Sequence, residues 1–258
     1  MGELEKLGIE TLALDVTDAE SIGRTRDEIA SRTNGRLDIL VNNAQVYNPT
    51  LLWPYLISSS AYPVAATDMS MDAVRALFEV NLFAPMALVQ KFVHLLISSR
   101  QGRIINIGSQ SGILPVPFSA AYNTSKAAIH AFGNTLRVEL APFNIHVMNV
   151  ITGAVKSNIA KPNTIPDNSL FKAMEPLYQA KRLNVSQVNA TPTEEYARTV
   201  VAEVLKSSPR AVLWAGSRSW TVWFLDTFLP QSVKDWAMTR MFGFSEFALQ
   251  IRNKNKHV

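Results

Sequence analysis

The stretch Arg103-Ile104-Ile105-Asn106-Ile107-Gly108-Ser109-Gln110-Ser111-Gly112, followed after an apolar loop by Tyr122-Asn123-Thr124-Ser125-Lys126, decides the reading of this chain. Tyr122 and Lys126 are four residues apart, which on a helix places both on one face, one turn apart. An ammonium beside a phenol favours the phenolate and lowers the tyrosine pKa from its usual value of about 10. A tyrosine tuned in this way passes a proton at neutral pH. Ser109 lies thirteen residues upstream of Tyr122, where a buried strand over 103–108 runs into a loop. A hydroxyl at the carboxyl end of a strand is well placed to hold a substrate oxygen. These residue types in this order point to a carbonyl reductase or alcohol dehydrogenase site.

Toward the N-terminus, residues 3–7 read as the last turn of a helix closed by Gly8, and Ile9 to Val16 as a buried strand. Thr17-Asp18-Ala19-Glu20 reads as a capping box for a helix with Ile22, Ile29 and Ala30 on one face, ending near Asn34-Gly35. A short apolar strand over 37–41 runs into Asn42-Asn43-Ala44-Gln45. Strand, helix, strand implies a right-handed crossover and a parallel sheet, hence an α/β fold. Residues 46–61, Pro- and Ser-bearing and without either period, read as an irregular insertion. Ser70 then caps a long helix carrying Val74, Leu77, Phe78, Asn81, Leu82 and Val89, which Pro85 should kink.

Toward the C-terminus, the spacing predicts a helix over 119–141, a strand over 144–150 and a short helix over 167–180. Thr191-Pro192-Thr193-Glu194 reads as an N-cap, a proline at the first helical position and a glutamate two residues on, opening a helix to Lys206. A last strand over 211–214 follows. Residues 214–247 are rich in Trp and Phe with Arg218, Lys234 and Arg240 interspersed, and Pro230 splits them into two amphipathic helices. This tail reads either as a lid or dimer contact, or as an interfacial anchor with aromatic rings at the lipid headgroups.

The bulk numbers fit one globular domain: 258 residues, 47% hydrophobic and 18% charged. The net charge of +4 is spread along the chain, its densest basic cluster being Arg252 to His257. Without an aromatic-and-basic stripe, nucleic acid is not an expected partner. The absence of cysteine excludes disulfides and thiolate chemistry. His94, His130, His146 and His257 have no metal-ligand spacing and read as structural or surface residues, so no metal is expected. The acidic first residues carry no apolar signal-peptide core, and no run of 18 apolar residues predicts a membrane span.

Taken together, Ser109, Tyr122-x-x-x-Lys126, Asn42-Asn43-Ala44 after a strand and Phe78-Glu79-Val80-Asn81 on the next helix resemble the short-chain dehydrogenase/reductase family over most of residues 9–215. The resemblance implies a Rossmann-like doubly wound parallel sheet and NAD(P)H-dependent reduction of a carbonyl, or the reverse. It makes Tyr122 the acid/base, Ser109 the carbonyl or alkoxide stabiliser, and Lys126 the residue that lowers the tyrosine pKa and holds the nicotinamide ribose. Asn81 would position a water in the proton relay. Asp15 would contact the adenine, Asn42 and Asn43 would line the sheet beneath the cofactor, and Val155 and Ser157 would bracket the nicotinamide amide. Asn106-Ile-Gly-Ser109, the Tyr122 helix and Val150-Ile-Thr-Gly153 look most like the NADPH-dependent acyl-dihydroxyacetone-phosphate reductase group, with related sequences in secondary metabolism. NADP is therefore the expected cofactor, with NAD open. The expected substrate is a small-molecule or acyl-lipid carbonyl, in a cytoplasmic protein peripheral on the endoplasmic reticulum or lipid droplets, with homo-oligomers formed through the Asn81 and Tyr122 helices. Each residue also has a plainer reading: Asn81 as a polar bridge within its helix, Asp15 and Ser109 as strand-end turn residues.

Three departures from the family pattern stand out. No glycine-rich strand-turn-helix precedes residue 9, so the sheet is expected to lack its first strand-helix-strand unit, roughly 40 to 50 residues. The expected organisation is an incomplete Rossmann-type domain over 1–215 and an aromatic extension over 216–258. Gln45 stands where the family has Gly, directly before the insertion, which reads as a substrate lid or, preferred here, a gene-model error such as a retained intron. Thr152 stands where many members have Pro before Gly153. The missing phosphate cradle raises a rival to the enzyme reading: a non-catalytic partner protein that kept the constellation and lost cofactor binding.

Overall fold

The computed structural model describes residues 2–43, 62–157, 164–183 and 189–254. In chain order these form α1 (Gly2–Lys6), α2 (Ala19–Arg32), β1 (Ile39–Asn42), α3 (Met71–Phe78), α4 (Ala84–Ser98), β2 (Arg103–Ile107), α5 (Ala120–Leu140), β3 (His146–Thr152), α6 (Glu175–Leu177), α7 (Thr193–Val204), β4 (Val212–Ala215), α8 (Ser219–Phe228), α9 (Gln231–Met241) and α10 (Phe244–Lys254). The strands make one parallel sheet in the order β1-β2-β3-β4. Ala44, Gln45 and the insertion at 46–61 lie outside the described residues.

The two middle strands are apolar on both faces, as a parallel sheet covered on both sides requires. Ile104 and Ile105 of β2 and Val147, Met148 and Val150 of β3 are essentially fully buried. One face packs Ile104, Ile145 and Val147 with Val89, Leu96 and Leu136 from α4 and α5. The other packs Ile105, Met148 and Val150 with Val200 and Val204 of α7.

The segment over 9–16 is not the buried strand the sequence suggests. It is extended but carries no ladder, with Ile9 and Leu14 exposed at 49% and 39%. A β-strand is defined by its partner, and no described strand lies beside it. The same lack of a neighbour leaves β1 at the sheet edge with Val41 half exposed.

Cap chemistry also differs in two places. Asp18, not Thr17, caps α2, accepting from the Glu20 N–H at 3.0 Å, while Thr17 turns back to Asp15. At α7 the boundary residue is Pro192; Thr191 bridges to Val155, and the Thr193 hydroxyl donates to the Lys156 carbonyl at 2.6 Å. Ser70 caps α3 as expected, accepting from the Ala73 N–H.

Pro85 reshapes its helix through a π turn. Between α3 and α4, residues Glu79–Phe83 widen, with the Ala84 N–H reaching back to the Glu79 carbonyl. Proline has no N–H for the carbonyl four residues before it and its ring collides with that carbonyl, which here belongs to Asn81. Widening the turn relieves both problems. The continuous helix Met71–Ser98 is long and apolar enough to cross a membrane by composition, yet just over half of its apolar window is buried within the fold.

The aromatic tail forms three helices, because Gly243 at φ 76° breaks it again after Pro230. Its inner side joins the core: Val222, Met238 and Phe242 pack on Leu114, and Phe244 stacks on Phe118. The tail thus rests on the loop between Ser109 and Tyr122.

Candidate active site

Ser109 follows β2, and Tyr122 and Lys126 lie on α5, so the site forms where a strand end meets a helix. Tyr122 is buried, packed with Tyr62, Ala73, Leu77 and Ala121. Lys126 passes over its ring, Nζ 5.8 Å from the centroid, and donates to the Ile107 carbonyl at 3.0 Å. That bond carries the ammonium across to the strand, two residues before Ser109. Burial pushes the Lys126 pKa down to about 8, which leaves it charged at neutral pH.

Ser109 is extended, and its Oγ accepts from the Ser111 N–H at 3.1 Å. A hydroxyl has one donor besides its acceptor pairs, so the O–H stays available for a substrate oxygen. The Ser109 N–H donates to His130 Nε2 at 3.2 Å. Burial first, then the Lys126 charge, push the His130 pKa down to about 4, so the ring is neutral and can accept that bond.

Asn81 sits in the π turn, facing α5. Its Nδ2 donates to Ser125 Oγ at 3.0 Å, and Ser125 donates in turn to the Tyr122 carbonyl at 2.8 Å. Asn81 Oδ1 is buried with no hydrogen-bond partner among the described residues. The structure thus ties Asn81 to the tyrosine helix through Ser125.

The remaining sequence candidates are more scattered. Asn42 is buried at the end of β1, while Asn43 is exposed. Asn42 heads a ladder: its Nδ2 donates to Asn106 Oδ1 at 2.8 Å, and Asn106 Nδ2 donates to Asn149 Oδ1 at 3.1 Å. The three asparagines are in register across β1, β2 and β3. Asp15 is exposed and closes a local turn, accepting from the Thr17 N–H at 2.9 Å and hydroxyl at 2.7 Å; these bonds hold its pKa below the usual carboxylate value. Val155 is half-buried beyond β3, bridged to Thr191, and Ser157 is exposed. Sequence reasoning overlooked Asn106, Asn149 and the pair Thr152–Tyr196, whose hydroxyls are 2.7 Å apart. An asparagine interrupting an otherwise apolar strand was the available signal.

The short chain dehydrogenase family profile matches residues 1–167. This chain belongs to the short-chain dehydrogenase family. It is 38% identical over 248 residues to the short-chain dehydrogenase RED1 of Pyricularia oryzae, covering 93% of this chain and 80% of that protein. It is 34% identical to the NADPH-dependent 1-acyldihydroxyacetone phosphate reductase of Schizosaccharomyces pombe, covering 76% of this chain and 61% of that one. In fold it resembles a short-chain dehydrogenase from Streptomyces avermitilis, with a TM-score of 0.68 at 22% identity over 99% of this chain and 83% of the other. The chain is an oxidoreductase with an NAD(P)-binding type of fold.

The residues at the nicotinamide end fit that cofactor. Lys126 keeps ammonium donors beyond its bond to the Ile107 carbonyl, and Asn81 Oδ1, unpartnered among the described residues, supplies a buried acceptor close to the tyrosine helix. At the phosphate end the described residues contain no glycine-rich turn leading into a helix.

Proposed function

We propose that this short-chain dehydrogenase reduces a carbonyl of a lipid-like or secondary-metabolite substrate with NADPH, Tyr122 serving as the proton donor. The observation that carries this reading is the Lys126 ammonium over the Tyr122 ring, anchored to the strand that leads into Ser109. A bound nicotinamide supplies the hydride. Tyr122 passes its phenolic proton to the nascent alkoxide, Ser109 donates a hydrogen bond to the same oxygen, and the Lys126 charge favours the phenolate that remains. Asn81 holds a water for reprotonation through its free oxygen. NADPH and an acyl-ketone substrate are favoured because the reductase of Schizosaccharomyces pombe, 34% identical, is named for both.

Tyr122→Phe is expected to abolish NADPH oxidation with 1-acyldihydroxyacetone phosphate or an aromatic 1,2-diketone, while nicotinamide fluorescence still reports cofactor binding. Turnover retained by Tyr122→Phe removes the assignment. Absence of nucleotide binding by the wild-type chain favours instead the non-catalytic partner.

A further inference from the structure

We infer that His130 is the positioning residue for Ser109, a buried imidazole that ties the oxygen-holding strand end to the helix carrying Tyr122 and Lys126. This rests on the proposed reductase reading for its catalytic consequence, though not for its geometry. Tyr122, Lys126 and His130 follow one another at intervals of four, so they form one stripe on α5. The first two groups act on the proton; the third reaches the backbone of Ser109 itself.

Three observations converge on His130. Its Nε2 accepts the Ser109 N–H at 3.2 Å. It is clasped by glycines on either side of Ser109: a Cβ on Gly108 would stand 2.1 Å from Nε2, and one on Gly112 would stand 2.9 Å from Cε1 and 2.8 Å from the Ala127 nitrogen. No larger residue fits at either place without moving the ring or the helix. The His130 backbone is held as well, its carbonyl accepting from Asn149 Nδ2 at 2.9 Å, at the end of the Asn42–Asn106–Asn149 ladder. The imidazole is therefore pinned to the sheet through its own carbonyl and holds the Ser109 turn through its ring.

A neutral histidine that accepts at Nε2 carries its proton on Nδ1. Burial, with the Lys126 ammonium one turn earlier, keeps the ring neutral well below pH 7. Buried side chains often serve only to fill space. Here the contact is a directed hydrogen bond to the one residue whose hydroxyl must be placed to a fraction of an ångström.

Two measurements test this. In wild-type protein labelled with nitrogen-15, two-bond imidazole spectra at pH 7 are expected to show His130 with Nε2 unprotonated and Nδ1 protonated, and the Ser109 amide is expected to move when the ring titrates in acid. For turnover of the aromatic 1,2-diketone, His130→Leu is expected to lose kcat by about 10²-fold. Its nucleotide Kd should change little, and His130→Gln, which keeps an acceptor, should recover most of the loss. A protonated Nε2, wild-type kcat in a folded His130→Leu, or a glutamine variant no better than leucine each overturns the proposal. Should His130→Leu not fold, the wild-type spectra decide. Failure of the wild-type chain to reduce any carbonyl sinks the reductase reading, while the spectra still decide the tie.

Discussion

Lys126 bears the site's electrostatic strain. It donates to the Ile107 carbonyl at 3.0 Å, and burial pushes its pKa from 10.5 to about 8. Between those values the unfolded chain binds more protons than the folded one, so folding stability rises with pH across that window and the charged form is the unfavourable one below it. At pH 7 this corresponds to a cost of about 3 kcal/mol. Lys126→Met is therefore expected to abolish turnover yet stabilise the fold by about 1–3 kcal/mol. It should also flatten the rise in stability between pH 8 and 10. Urea unfolding at both pH values checks this; a less stable methionine variant would show the charge to be compensated in the native fold. Tyr122, Lys126 and Ser109 were legible in sequence because helical spacing and a strand end restrict where such side chains go. His130 was not, because a single histidine on an apolar helix face reads as core until a contact 21 residues away in sequence is seen.

At the scale of elements, α5 is the part on which the site is built, and it lies unusually close to the sheet at Gly133. A Cβ there would stand 2.0 Å from Asn149 Oδ1 and 2.6 Å from Asn106 Nδ2. Gly133→Ala gains helix propensity of up to about 1 kcal/mol. Overpacking of a buried network typically costs about 1–3 kcal/mol, and here the intruding methyl group also displaces the asparagines that hold His130. The variant is expected to be net destabilised, with a lower denaturant midpoint and reduced kcat; a midpoint at or above wild type would show that the helix can lift without disturbing the ladder. Most elements were readable from local pattern: β2, β3, β4 and α5 fall within a few residues of their expected limits. The misreadings share a cause. Thr17 and Thr191 have the right chemistry for caps, but each finds a better partner outside its helix, and the segment over 9–16 has strand-forming residues without a strand to pair with among the described residues.

Over the whole molecule, the C-terminal helices present an exposed aromatic face. Trp220, Phe224 and Phe228 recur every four residues along α8 and are all exposed, Trp220 at 61%, while Val222 on the other side is buried against the loop after Ser109. Trp223 meets Trp220 and Phe228 edge-on at 5.4 and 5.8 Å, making one aromatic patch. An interfacial role predicts that the protein floats with phosphatidylcholine–phosphatidylserine vesicles and that Trp220→Ala/Phe224→Ala does not. Equal failure of both to float removes lipid as the occupant. The inner side of the same tail packs on Leu114 and Phe118, in the loop that joins Ser109 to the Tyr122 helix.

By itself, the sequence determined the α/β class and the parallel sense of its strands, and it placed Ser109 at a strand end and Tyr122 and Lys126 on one face of a helix. Those follow from periodicity and spacing over a few residues, where covalent geometry leaves few arrangements. Only the tertiary structure decided that the segment over 9–16 stays outside the sheet, that three asparagines align across three strands, and that a histidine and two glycines lock the Ser109 turn onto the helix of Tyr122 and Lys126. Each of these depends on which surfaces meet at a distance. A strand needs a neighbour, and a buried polar group needs its partner; neither is written in the local run of residues.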